Sequence, residues 1–110
     1  MSPITKRAGL IRDIVAEAYD IKPESIASSS RLKTLAEARQ VYMMLVRDLF
    51  ELSYPEIGLL VNRDHTTVID GIRSLRARLQ EPSVARKVKY IREKVKLLTQ
   101  GMPINTENEP

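Results

Sequence analysis

The chain has 110 residues, 18 Lys and Arg against 14 Asp and Glu, and a formal charge of +4, which allows one domain with one modest core. It contains no cysteine, which excludes a disulfide framework and a thiolate metal site. No run of about 18 apolar residues occurs and the opening MSPITKRAGL lacks a long apolar centre, so membrane spanning and secretion are unsupported and a cytoplasmic protein is expected.

Ile4 to Tyr19 is predicted as a first helix, because Leu10 or Ile11, Ile14, Val15 and Ala18 recur at spacings of three and four. Ile21 to Ser30 is a break holding Pro23 and three consecutive serines, with room for one short helical turn near Glu24 to Ala27. A long central helix is predicted over Thr34 to Phe50, capped by Thr34 with Glu37 completing a capping box. Its apolar stripe is Leu35, Ala38, Val41, Tyr42, Leu45, Val46 and Leu49.

Ser53 is placed to cap a short helix, with Pro55 in its first turn and Glu56 at the reciprocal capping position. Ile57, Leu59 and Leu60 are expected to face inward, and Gly58 to let this helix cross its neighbour closely. Val61 to Arg63 forms a turn, and Asp64 is the natural cap of the next helix. That helix buries Val68, Ile69, Ile72, Leu75 and Leu79. Pro82 is expected to end the segment and Ser83 to begin a last helix with the stripe Val84, Val88, Ile91, Val95 and Leu98. Residues 1–100 are therefore expected to form one helical domain, and 101–110, with two prolines and little apolar content, a disordered tail. The fold class is all-α, a bundle of five or six helices.

Two short helices around a tight polar turn form the layout of a helix-turn-helix, whose second helix enters the major groove amino terminus first. Once Val68, Ile69 and Ile72 face the core, Arg63, His65, Thr66 and Thr67 are left on the exposed side. A threonine offers a hydrogen bond and a methyl group to base edges, and a neutral imidazole can donate or accept. The residues alone leave two readings open, a DNA-reading turn and a merely polar first turn on an unrelated bundle. Charge distribution favours the first. Gly71 to Leu98 holds nine basic residues against two acidic ones, and Arg31, Lys33, Arg39 and Arg47 precede the turn.

The run Asn62-Arg63-Asp64-His65-Thr66-Thr67-Val68, behind Pro55-Glu56-Ile57-Gly58 and, further back, Ala38-Arg39-Gln40 and Tyr19-Asp20-Ile21-Lys22, resembles the carboxy-terminal DNA-binding domain of the bacterial replication initiator DnaA. The resemblance covers about Leu10 to Leu98 and implies a Trp-repressor-like fold containing a helix-turn-helix. It implies sequence-specific binding of double-stranded DNA at boxes with the consensus TTATCCACA, in replication initiation at an origin or in transcription regulation. Arg31 would enter the minor groove. Gln40, Asp64, His65, Thr66 and Thr67 would read bases, and Lys33, Arg39, Arg47 and Arg63 would hold phosphates or position the groove. Gln40 is equally suited to a phosphate.

Three departures stand out. The loop Ser28 to Lys33 is less basic than is usual in the family, Glu37-Ala38 replaces a basic residue and a proline, and Val61-Asn62 stands where a glycine pair is usual. Asn62 is the residue able to supply a left-handed conformation there. No GxxxxGK[ST] loop occurs, so these residues hold no ATPase module. The opening Met1 and the acidic tail favour a stand-alone relative over an excised domain. One histidine and no cysteine leave no catalytic dyad and no metal site, so neither enzyme activity nor a cofactor is expected. The alternative is a protein-interaction module that keeps the fold with weak DNA binding, its partner the initiator or another replication or transcription protein. A monomer is the expected state, with a homodimer through the last helix as its competitor.

Overall fold

The computed structural model describes residues 3–99; the tail expected over 101–110 lies outside the described residues. The order is α1 (Pro3–Tyr19), a 3-10 turn (Pro23–Ala27), α2 (Lys33–Phe50), α3 (Tyr54–Val61), α4 (His65–Arg78) and α5 (Pro82–Thr99). This is an all-α, five-helix bundle containing a helix-turn-helix in α3–α4.

The centre is α2. Val41, Tyr42, Met43, Met44, Leu45 and Val46 are all buried in succession, so the helix is apolar around its whole girth rather than along one stripe. A helix is buried in this way only when neighbours cover it from several sides. Here α1, α3, α4 and the 3-10 turn all pack on α2, while α5 packs on α1. At Gly71 α4 packs tightly on α2, since a Cβ there would lie 2.6 Å from the Met43 terminal methyl.

Several local expectations are corrected. The Thr34–Glu37 capping box does not form. Instead α2 starts at Lys33 behind Leu32, with no side-chain cap. Glu37 is diverted to long-range partners, its carboxylate accepting from the Tyr19 hydroxyl at 2.5 Å and from Arg78 Nη2 at 2.8 Å. Burial first, and the bond to Glu37 second, push the Tyr19 hydroxyl well above its usual range. Leu59 is 86% exposed, because an eight-residue helix turns only Ile57, Gly58 and Val61 fully inward. Leu49 (43%) and Leu98 (49%) lie in final turns that reach past the packed neighbours. Pro82 opens α5 rather than closing α4, the position at which its missing N–H has no helical partner to lose.

Candidate nucleic-acid interface

The turn between α3 and α4 is built from local backbone chemistry. The capping box at the start of α3 is present: Ser53 Oγ accepts the Glu56 amide at 3.2 Å, and Glu56 Oε1 accepts the Ser53 amide at 2.8 Å. At the other end Asn62 is left-handed (φ 59, ψ 47), and both its amide and that of Arg63 are directed at the Gly58 carbonyl. This αL ending gathers both amides on the one carbonyl. It also brings the chain back over Gly58, where a Cβ would collide with the Arg63 carbonyl. Gly58 is therefore required by the turn's own backbone and not, as expected, by a neighbouring helix. Val61, where the family usually has glycine, fills the core instead.

Asp64 caps α4, its carboxylate accepting the Thr67 amide at 2.8 Å. His65, Thr66 and Thr67 follow as the first helical residues, all exposed, and Val68 is fully buried. The core thus takes none of the three polar side chains. Hydrogen bonds from the Thr67 amide, then its hydroxyl, hold the Asp64 carboxyl below the usual carboxylate range, with the neighbouring His65 acting in the same direction. A lowered folded-state value stabilises the fold above the unfolded value of about 3.9 and is lost as pH falls through the lowered value. The Thr67 amide resonance, followed from about pH 6 to about pH 2, is expected to move with a midpoint below the ordinary carboxylate value. The Asp64→Asn variant is expected to remove that transition. A midpoint at or above the ordinary value would mean that the cap is not formed in solution.

The other candidate residues divide into two groups. Arg31 and Lys33 are exposed, at the end of the loop and the start of α2. Gln40 is half-buried on α2 beside Gly71 of α4. The three remaining arginines are engaged inside the protein. Arg39, expected at the groove, is only 7% exposed. Its Nε donates to the Ile26 carbonyl at 2.7 Å and its Nη2 to Ser28 and Ser30 carbonyls at 3.0 and 3.3 Å. Burial first, and the nearby Arg63 charge second, pull its pKa down. Arg63 donates to the carbonyls of Val61 (2.9 Å), Asn62 (3.2 Å) and Ser28 (2.8 Å). Arg47 lies near the far end of α2, where it donates to Leu52 O at 2.7 Å and stacks 4.3 Å from the Tyr54 ring centroid. Sequence reasoning missed Ser28, whose role is played by a backbone carbonyl, and Tyr54. The only sequence signal for Tyr54 is an aromatic residue beside a capping serine.

The basic run in α4 and α5 is also partly neutralised. Asp48 binds Arg76 at 2.6 Å and Arg92 at 3.1 Å, Arg78 binds Glu37 and Glu81, and Lys94 binds Glu17. Burial pushes the Asp48 carboxyl up, but the combined bonds and charges of Arg76 and Arg92 outweigh it and hold the group low. Lys87 sits 4.5 Å from the Tyr19 ring centroid. These residues tie helices together, so the field they present is weaker than their number suggests. Among the described residues no group of three or more His, Cys, Asp or Glu is placed to hold a metal, and no helix is long and apolar enough to cross a membrane.

The profile described as the bacterial dnaA protein helix-turn-helix matches residues 9–75, more than half of the chain. The chromosomal replication initiator protein DnaA of Caldanaerobacter subterraneus subsp. tengcongensis is 38% identical over 88 residues, covering 79% of this chain and 20% of that protein. Its counterpart in Pelobacter propionicus is 37% identical over 85 residues, 76% of this chain and 19% of that protein. The chain spans about a fifth of the length of these relatives. The matched unit is a DNA-binding module and not a catalytic one, and the match runs through both arms of the turn described above. The chain belongs to the bacterial DnaA helix-turn-helix family of sequence-specific DNA-binding domains.

Proposed function

We propose that the domain binds one asymmetric DnaA-type box as a monomer, with the first turn of α4 in the major groove and the loop carrying Arg31 at the adjacent minor groove. The observation that carries this reading is the first turn of α4, where three polar side chains are exposed although the core has no use for them. His65, Thr66 and Thr67 read base edges through the imidazole, the hydroxyls and the threonine methyls. Asp64 caps the helix with one carboxylate oxygen and keeps the other for a base amino group. Arg31 reads the minor groove, Gln40 reads a base or holds a phosphate beside α4, and Lys33 neutralises phosphate. Arg47, Arg39 and Arg63 have for the duplex only the hydrogen-bonding capacity left over from their internal contacts.

The relatives carry the name of a chromosomal replication initiator. In this reading the domain acts on the chromosome by occupying such boxes, in replication initiation or in transcription regulation, in the cytoplasm. Fluorescence anisotropy at one salt concentration, with a duplex holding a single TTATCCACA box and a scrambled duplex, tests the proposal. A preference of at least about a thousandfold for the box is expected, the lower end of the usual gap between specific and non-specific binding. Equal affinity for the two duplexes would remove the proposal in favour of a protein-interaction module.

A further inference from the structure

We propose that Arg63 is a positioning residue: it clamps the Arg31 loop to the recognition turn before DNA arrives, and so contributes discrimination between sequences rather than a phosphate contact. The inference rests on the DNA-binding reading above and assigns Arg63 a different job from the one the family resemblance implies. The Ser28 carbonyl accepts from two guanidinium groups, Arg39 Nη2 at 3.0 Å from α2 and Arg63 Nη2 at 2.8 Å from the turn. A carbonyl oxygen has two lone pairs, and both are used here. Arg63 Nη1 meanwhile holds the turn's own carbonyls at Val61 and Asn62. One planar fork therefore spans two chain segments that lie 35 positions apart.

The placement of this clamp gives it a consequence for binding. Arg31 follows Ser28 by three residues, and His65 follows Arg63 by two. Each proposed reader is thus close along the chain to one end of the clamp. Arg39 fixes the loop to α2 through three carbonyls, but among the hydrogen bonds of the described residues only that of Arg63 joins the loop to the turn that starts α4. Two like charges side by side repel, and the shared carbonyl dipoles offset that repulsion. Without the clamp, the loop would have to be ordered against α4 at the moment of binding, which weakens the box complex selectively. A lysine cannot replace the fork, because one ammonium does not present two separated in-plane donor pairs.

The test uses Arg63→Lys and Arg63→Met in the full chain, with the box and scrambled duplexes as probes. Both variants are expected to lose about three- to tenfold in box-over-scrambled preference, on the order of one ordering step, with the salt slope unchanged. The loss is expected to vanish in an Arg31→Ala background. In the free protein, amide exchange of Ser29 to Leu32 is expected to accelerate while the α2 core amides stay protected. The proposal is overturned if Arg63→Lys behaves as the parent while Arg63→Met weakens both duplexes equally and lowers the slope by about one unit, the signature of a phosphate contact. It is equally overturned if the Arg31 and Arg63 effects simply add, or if loop exchange does not change. A parent that shows no box preference counts against the functional reading alone, because the exchange measurement needs no DNA.

Discussion

Gly58→Ala is expected to lower stability by about 3 kcal/mol, at the upper end of what forced overpacking costs, and the melting temperature by roughly 15 °C for a domain of this size. The added carbon has nowhere to go, since the Arg63 carbonyl already occupies its place. That obstacle is backbone, held by the Arg63 amide bond back to Gly58 O at 2.9 Å, and not a flexible side chain that can swing aside. Relieving the clash means opening the turn, which breaks the Asn62 and Arg63 amide bonds and moves the start of α4. Loss of box preference should therefore accompany the loss of stability. Gly9→Ala is the matched control. Nothing lies within 4 Å of its missing Cβ and it sits inside α1, so the same substitution should raise stability by up to about 1 kcal/mol. Thermal unfolding followed by circular dichroism checks both, and a Gly58→Ala protein melting within a few degrees of the parent would mean that the turn has another conformation.

His65→Ala and Thr66→Ala are each expected to reduce preference for the box by about 1–3 kcal/mol for every base-edge interaction removed, with helical content unchanged. Neither side chain is needed by the fold, because both are exposed and the buried residues of α4 begin at Val68. Thr67 is a less clean target, since its amide serves the Asp64 cap. Competition binding with the box and scrambled duplexes measures the effect. Variants that keep the parent's ratio on both duplexes would show that the first turn of α4 does not read bases.

Much of the helix order was legible because helical periodicity and capping are local. Ser53 with Glu56, Asp64 with Thr67, and left-handed Asn62 all formed as their residue types and spacings indicate. Glu37 behaved otherwise because its partners Tyr19 and Arg78 lie 18 and 41 positions away, and no local pattern records them. The same reason explains the arginines. The sequence shows a cation ahead of a recognition helix, but not a loop carbonyl such as that of Ser28 lying within reach of it. The width of an apolar stripe is equally a tertiary matter: Leu59 and Leu49 fit the period but extend beyond the neighbours that would cover them. His65, Thr66 and Thr67 stood out because they are polar residues at the start of a helix whose inner face was already accounted for.

The pairing of α5 with α1, sealed by Lys94 and Glu17 across 77 positions, also imposes an order in time. A ribosome makes α1 first and α5 last among the described helices. At about 5–20 residues per second, the 18 residues of α5 occupy about one to four seconds of synthesis. For that interval the side of α1 that α5 will cover faces water, although α2, α3 and α4 have already been made. The recognition helix rests on α2 and α3, so its platform is made of segments that leave the ribosome before α5 does. The nascent chain meanwhile displays an apolar stripe of the kind a chaperone would bind.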